Sequence, residues 1–251
     1  MIPFARPGRS ETYDVIGERA TRKALQDAWL PYHLVQQAFV GHVFGDSASG
    51  RAALHRVGPS GVPIVNVNNN CARGSSALWL ARQAMAAGAA ECVLALGFEE
   101  MRPGRLTPHS NDRPDPLGRF FDTIRALQGC DEVAPREAQY FGGAAPAYVE
   151  KYGARPETIA RSRGEGAPAR RQQRERRVPD IADRAGGPRL TCLFGPMTWL
   201  QRCAPMSGAA GAILCTPLLA ETPVLERVHC RHTSAAFSVS GHGAKVTEDR
   251  G

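Results

Sequence analysis

The sequence has no apolar run that approaches the ~20 residues a helix needs to span a bilayer. Its first residues also lack the apolar stretch of a secretory signal. Together these absences predict a soluble intracellular protein without a membrane span. The chain has 251 residues, of which 43% are apolar. That length can supply one large domain or two small ones, each with a buried core.

No Cys-x-x-Cys pair occurs among the seven cysteines, and their spacings are wide. An odd number of cysteines at wide spacing is untypical of a disulfide framework or a zinc ribbon. Residues 229–232, His-Cys-Arg-His, suggest a metal site, but a structural zinc needs four ligands and no partner pair has suitable spacing. The sequence therefore predicts a reducing compartment and no metal site.

The net charge of +7 is concentrated in one segment. Between Arg161 and Arg189 there are nine arginines and four acidic residues, so the rest of the chain is close to balanced. A dedicated nucleic-acid-binding domain is expected to be basic over a broader surface, and this segment has no aromatic residues for base stacking. Electrostatic binding to RNA or an anionic membrane is the less favoured alternative to a solvated, disordered linker over 161–192.

A strand–helix–strand unit is the most regular part of the pattern. The β-branched run 62–67 predicts a buried strand, and 71–87 predicts a helix with Gly88 as its C-cap. Residues 92–97 predict a second buried strand. Apolar strands joined by a helical crossover predict a mostly parallel sheet covered by helices. Further predicted elements are helices at 14–29, 52–57 and 138–152 and strands at 37–44 and 207–214.

Cys71 lies where the predicted strand passes into the predicted helix. Unpaired N–H groups and partial positive charge at a helix N-terminus stabilise a thiolate, which is the nucleophilic form of cysteine. Open α/β sheets also place functional groups at the carboxyl ends of their strands. Cys71 is therefore a candidate nucleophile for acyl transfer. The local pattern alone slightly favours the alternative of a small buried hydrophobe, which most cysteines are.

A long motif around Cys71 resembles a known family. Residues 65–78, VNVNNNCARGSSAL, are similar to the nucleophile segment of thiolases of the sterol carrier protein X type. The likeness continues without a gap through 90–101, AECVLALGFEEM, and includes 40–47, VGHVFGDS. It is looser over 201–214 and covers about residues 1–160 and 193–220 in all.

The resemblance implies an α/β fold, with a thiolase-like N-terminal half and a loop-domain insertion. It implies an acyl-CoA acyltransferase that cleaves 3-oxoacyl-CoA through an acyl group on Cys71, with coenzyme A as substrate and no other cofactor. A homodimer and a role in lipid metabolism and transport in the peroxisome are further implications. The final residues 249–251 do not form a Ser-Lys-Leu-like address, and a cytoplasmic location is the alternative.

The resemblance and the composition together predict a division of the chain into four parts. We expect a thiolase N-terminal core over 1–102, a loop-domain-like insertion over 103–192 that contains the Arg-rich linker 161–192, a return to the core over 193–225, and a disordered tail over 226–251.

Several family features have no counterpart in this sequence. The Gly-His-Pro-x-Gly motif, whose histidine activates the nucleophile, is missing, because His242 is followed by Gly-Ala-Lys and carries no predicted role. The His-Asp-Cys-Phe-like segment and the second catalytic cysteine are not found either, and Gly208 replaces an aspartate of the family. We therefore expect impaired thiolysis. The alternative is an inactive fragment that acts only by pairing with other subunits, and an altered exon or reading frame is one hypothesis for 161–192 and 226–251.

Overall fold

The computed structural model describes residues 1–103, 112–131, 134, 136–155, 192–194, 197–198 and 205–220. These residues belong to two compact units. The first unit comprises 1–3, 7–101 and 206–220, and the second comprises 4–6 and the described residues between 102 and 205. The Arg-rich segment predicted at 161–192, apart from residue 192, and the tail predicted at 226–251 lie outside the described residues, as does the motif at 229–232.

Five strands form a sheet at the centre of the first unit, and a short pair of strands lies in the second. The strands of the sheet are β1 Ile2–Ala5, β2 Gln37–Gly41, β3 Ile64–Val67, β4 Cys92–Glu99 and β7 Ser207–Cys215, and the pair is β5 Cys192–Phe194 and β6 Met197–Thr198. The order in the sheet is β1-β7-β4-β2-β3. β2 pairs in parallel with both β3 and β4, whereas β7 pairs with β4 in the antiparallel direction. The predicted α/β class is confirmed, and the sheet is a mixed one, with parallel pairing of β2 to its two neighbours and antiparallel pairing of β4 to β7.

Helices cover both faces of the sheet. The helices of the first unit are α1 Tyr13–Asp27, α2 Ser49–His55 and α3 Arg73–Ala86, with a 3-10 turn at Tyr32–Leu34 and one helical turn at Pro217–Ala220. Alternate residues of β4 point to opposite faces. Leu94 and Leu96 join the core with α1 and α2, whereas Val93 and Ala95 pack with Ala81 of α3. None of the described helices has both the length and the apolarity that a membrane crossing would require.

The prediction that 62–67 forms a buried strand is wrong in one respect. The strand β3 forms, but it lies at the edge of the sheet, and the side chain of Val65 is 47% exposed. A β-branched run shows that a strand will form, but the order of strands in the sheet decides whether both of its faces are covered. The buried strand predicted at 92–97 is confirmed by β4, which lies between β2 and β7.

The chain leaves and re-enters the sheet at one point. Met101 follows the end of β4, and its backbone N–H donates a hydrogen bond to the hydroxyl oxygen of Ser207, the first residue of β7, at 2.9 Å. Ser207 is fully buried, and Met101 is nearly so. The carbonyl of Met101 also accepts a hydrogen bond from the N–H of Gly8 at 2.9 Å. The two ends of residues 102–206 are therefore fixed to each other within the first unit.

The second unit contains α4 Gly118–Gln128 and α5 Arg136–Tyr152, and β5 pairs with β6 in the antiparallel direction. The buried Gln139 organises the link between the two helices. Its side-chain nitrogen donates to the backbone carbonyls of Asp131 at 2.7 Å and Ala134 at 2.8 Å, and its backbone carbonyl accepts from the Gln128 side chain at 2.9 Å. The helix predicted at 138–152 is confirmed, and it continues through Pro146.

Candidate active site

Cys71 lies in the turn between β3 and α3, and its side chain is exposed. This exposure excludes the alternative of a buried small hydrophobe. The helix begins at Arg73, two residues later than the sequence predicts, so Cys71 precedes the helix. Because β2 is parallel to both β3 and β4, the carboxyl ends of the three strands lie on the same side of the sheet, and the Cys71 turn follows the carboxyl end of β3. The thiol therefore stands at the carboxyl edge of the parallel strands, where open α/β sheets place their functional groups.

The turn that presents Cys71 is shaped by asparagine. Asn70 has a φ of 47°, in the left-handed region that asparagine tolerates better than most residues. The carbonyls of Asn69 and Asn70 accept hydrogen bonds from the N–H groups of Ala72 and Arg73 at 3.0 and 3.1 Å. These two N–H groups are thus engaged within the turn, and they are not among the unpaired donors that we expect from the sequence to stabilise a thiolate. The Asn69 side chain donates to the hydroxyl oxygen of Ser76 at 2.9 Å, which fixes the turn to the first turn of α3.

A buried carboxylate holds the start of α3 against the strands. Glu99, the last residue of β4, is 5% exposed. Its oxygens accept hydrogen bonds from the N–H groups of Val43 and Phe44, both at 3.0 Å, in the chain that leaves β2. The guanidinium Nε of Arg73 lies 2.9 Å from the same carboxylate. One side chain therefore joins the carboxyl ends of β2 and β4 to the first residue of the helix that follows Cys71.

Glycine allows α3 to approach the sheet closely. A Cβ atom on Gly41, at the end of β2, would lie 2.5 Å from the carbonyl oxygen of Arg73. A Cβ on Gly97 of β4 would lie 3.7 Å from the Cα of Gly74. The first turn of α3 thus rests directly on the backbone of the two central strands. This contact fixes where the Cys71 turn, which precedes α3, lies relative to the carboxyl ends of β2 and β4.

His42 has a structural role beside the site. The Asn66 side-chain oxygen accepts a hydrogen bond from the N–H of Gly50 at 2.8 Å and lies 3.2 Å from His42 Nε2. Because that oxygen can only accept, we assign the proton to Nε2. The ring stacks on Phe98 with a centroid separation of 5.3 Å, and its buried Nδ1 has no hydrogen-bonding partner among the described residues. His42 therefore joins the end of β2 to β3.

The Cys71 thiol itself has no hydrogen-bonding partner within the described parts of the chain. The structure therefore places neither His42 nor any other described side chain as its general base. The described residues also contain no group of three or more His, Cys, Asp or Glu side chains that would hold a metal ion. The chemistry that the described site can supply by itself is limited to an accessible sulfur on a firmly held turn.

An open groove lies beside the turn, along the exposed face of α3 and the edge strand. Its lining residues are Val67, Asn69, Ser75, Ser76, Trp79 and Leu80. Trp79 is 55% exposed, and Leu78 of the same helix and Val65 of β3 are about half exposed. We call the exposed apolar side chains Val65, Leu78 and Trp79 the β3–α3 edge surface. Cys71 is not among the lining residues of the groove.

Comparison with known proteins identifies what this chain is similar to. Residues 2–115 match the model of the thiolase N-terminal domain. Sterol carrier protein 2 of Gallus gallus is 39% identical over 222 residues, which cover 85% of this chain and 39% of that protein. Sterol carrier protein 2 of Homo sapiens is 41% identical over 223 residues, covering 85% of this chain and 40% of the relative. Through residues 2–115 the chain is therefore similar to the N-terminal domain of thiolases. It spans about two fifths of the length of these curated relatives.

The fold agrees with this thiolase assignment. The solved structure of Acat5 thiolase from Ascaris suum in complex with coenzyme A matches with a TM-score of 0.57 at 20% sequence identity. The match covers 87% of this chain and 64% of the other. At that identity the likeness shows a shared thiolase fold. The resemblance found in the sequence is thus confirmed for both family and fold.

Sequence reasoning singled out Cys71 as a candidate, and it did not single out Glu99 and Arg73, which hold the turn that carries Cys71. A signal for Glu99 is present, because it is the one acidic residue of an otherwise apolar strand and a second acidic residue follows it. A carboxylate at the end of a buried strand has to find donors nearby. The sequence does not show which donors these are, since Val43, Phe44 and Arg73 come from two other segments of the chain.

Proposed function

We propose that this chain takes part in thiolase-type acyl transfer, with Cys71 as the residue that accepts the acyl group of a 3-oxoacyl-CoA. The supporting observation is the accessible thiol on a fixed turn at the carboxyl edge of the sheet, inside the segment that matches the thiolase N-terminal domain. A thiolase neighbour solved with coenzyme A supports acyl-CoA and CoA as the ligands.

The proposed reaction has two steps. The Cys71 thiolate adds to the 3-oxo carbon, and the bond between C2 and C3 breaks. The acyl group, now two carbons shorter, stays on sulfur as a thioester, and the CoA thioester that holds C1 and C2 leaves after its C2 carbanion gains a proton. In the second step the thiol of free CoA loses its proton, attacks the thioester and regenerates the Cys71 thiolate. Exchange between two thioesters is close to isoenergetic, which suits reversible transfer.

Both steps need proton transfer, and general acid–base groups contribute roughly 10²–10⁴-fold each. The described residues give Cys71 no hydrogen-bonded base. The family's activating histidine motif is also missing from the sequence. We therefore propose that the chain alone acquires an acyl group on Cys71 slowly and turns over poorly.

The test compares two exposed cysteines. The full chain is incubated with acetoacetyl-CoA, with and without CoA, while intact mass and acetyl-CoA formation are followed. Cys71→Ala should abolish both the acetyl adduct and any turnover, whereas Cys130→Ala, which removes another exposed thiol, should leave both unchanged. An adduct that persists in Cys71→Ala, or no adduct on the parent chain, overturns the nucleophile assignment.

A second candidate function is a non-catalytic one, in which the chain pairs with another thiolase subunit or with itself. The β3–α3 edge surface favours it, because three large apolar side chains are exposed on a strand at the sheet edge and on the helix beside it. Exposed apolar side chains close to the outer edge of a sheet are typical of association sites.

Sedimentation velocity tests this association. We expect Trp79→Ser to shift the chain toward monomer. Trp29→Ser is the matched control, since Trp29 is 63% exposed but precedes β2 on a different part of the surface. A monomeric parent chain, alone and mixed with a complete thiolase, would contradict the pairing proposal.

By the same resemblance we propose a peroxisomal role in lipid metabolism. Supporting it are the sterol carrier protein 2 relatives. Co-localisation of the tagged full chain with a peroxisomal marker tests this proposal, and a diffuse cytoplasmic signal contradicts it.

A further inference from the structure

Two free cysteines face each other across the sheet, away from the Cys71 turn. Cys92 is the first residue of β4 and Cys215 is the last residue of β7, and the antiparallel register places them directly opposite each other. Directly opposed residues of an antiparallel pair carry their side chains on the same face of the sheet. Both thiols therefore lie on the α1 side, where Cys92 belongs to the main core cluster.

The hydrogen bonds of the ladder identify the type of this pair. The N–H of Thr216 donates to the carbonyl of Glu91 at 2.9 Å. The register places these two residues opposite each other, so they form a hydrogen-bonded pair. The adjacent pair of Cys92 and Cys215 is then a non-hydrogen-bonded pair, in which the Cα atoms lie only about 4.5 Å apart. A disulfide needs Cα atoms about 4.4–6.8 Å apart, so this pair is at the short end of the permitted range.

The two thiols differ in accessibility. Cys92 is fully buried, and Cys215 is partly exposed. Burial raises the pKa of both thiols, and for Cys92, whose pKa is about 11, the proximity of Cys215 adds to the rise. The influence of Cys215 on Cys92 agrees with two sulfur atoms that lie close together.

We propose that Cys92 and Cys215 are a modification site, at which a small disulfide such as glutathione disulfide produces a reversible cross-strand disulfide. The partly exposed Cys215 thiolate attacks the oxidant, forms a mixed disulfide and releases one glutathione. The Cys92 thiolate then attacks the Cys215 sulfur and releases the second glutathione. Two protein thiols are oxidised to one disulfide, the oxidant is reduced to two thiols, and the two protons end on the released glutathiones.

The short Cα separation makes this bond a labile one. Disulfides near the limits of the permitted geometry are strained and are reduced more readily than relaxed ones. The bond would connect the start of β4 to the end of β7, two strands that are far apart in sequence. It would therefore lock the antiparallel half of the sheet without involving Cys71, and it stands or falls independently of the proposed function.

Peptide mapping of the full chain tests the proposal. The chain is incubated with glutathione disulfide, the remaining thiols are blocked, and the product is cleaved with cyanogen bromide and then trypsin without reduction. Cleavage after Met85, Met101 and Met206 and at Arg227 leaves Cys92 alone in 86–101 and Cys215 alone in 207–227. We expect these two fragments joined in one species, which dithiothreitol separates.

Variants and the other cysteines supply the controls. Cys215→Ser should abolish the linked species, whereas Cys71→Ser and Cys130→Ser should retain it. The urea midpoint of the oxidised parent should lie above that of the reduced one, and Cys215→Ser should show no such shift. A Cys92 that stays a free thiol while Cys71 and Cys130 carry glutathione would overturn the proposal, as would Cys92 linked to any other cysteine.

Discussion

The Glu99 carboxylate offers the most direct test of how the Cys71 turn is held. One of its oxygens accepts from the Phe44 N–H, and the other accepts from both the Val43 N–H and the Arg73 Nε. Replacing Glu99 by Gln keeps the shape, removes the charge and exchanges one oxygen for an NH2 group. The best orientation of the new amide keeps its oxygen toward Val43 and Arg73, so its NH2 group faces the N–H of Phe44.

The cost of this exchange follows from the three contacts. Two donors that face each other in a partly buried position cost about 1–3 kcal/mol. The two retained bonds change from charge-assisted to neutral, which removes about 1 kcal/mol each. The Arg73 side chain is 26% exposed, so water recovers part of this loss. We therefore expect the free energy of unfolding to fall by about 3 kcal/mol.

Urea unfolding followed by circular dichroism measures the change. At a slope of about 3 kcal/mol/M, the midpoint should fall by about 1 M. Glu91→Gln is the matched control, because Glu91 is exposed immediately before the same strand, and we expect less than about 0.5 kcal/mol there. If Glu99→Gln changes the stability no more than Glu91→Gln, the carboxylate does not hold the start of α3 as described.

Three further predictions concern the same unit. Gly41→Ala should lower the free energy of unfolding by about 1–3 kcal/mol in thermal denaturation, because its Cβ meets the backbone of Arg73, whereas Gly74→Ala, with nothing within 4 Å of the new Cβ, should be neutral or stabilising. Asn70→Val should cost about 1–2 kcal/mol in the same assay while Asn70→Gly costs little, since the φ of 47° suits glycine and not a β-branched residue; equal effects would contradict the left-handed turn. Burial raises the pKa of Cys92 from 9.0 to about 11, so between these pH values the folded state keeps a proton that the unfolded chain releases. The free energy of unfolding should therefore fall by about 2–3 kcal/mol as the pH rises from 9 to 11. Urea titrations at a series of pH values measure this fall, which should be smaller in Cys92→Ala.

The sequence predicts the elements of this fold better than their arrangement. The apolar runs of β3 and β4 look alike, and both form strands, yet only β4 is covered on both faces. The difference arises because β2, which precedes both in sequence, inserts between them in the sheet. Strand order depends on contacts between distant segments, and the periodicity of a single segment does not contain them.

The same limit applies to the candidate site. The position of Cys71 between a strand and a helix is predictable because a strand, a polar turn and a helix follow one another directly in the sequence. The contact between Arg73 and Glu99 joins residues 26 positions apart and needs the parallel sheet to bring them together. Helical periodicity also does not predict that α3 begins as late as Arg73, because the left-handed Asn70 and the turn hydrogen bonds set that boundary.

The hydrogen bond between Met101 and Ser207 has a consequence for how this fold can vary. This bond joins the residue that follows β4 to the first residue of β7, so the stretch of chain between them begins and ends at neighbouring points. The strands therefore do not fix the length of that stretch. Closing a longer or shorter stretch changes the entropy of the chain only slowly with length. The core of this unit should therefore accept a short linker in place of residues 102–206, which makes that stretch the natural place for recombination, insertion or engineered replacement.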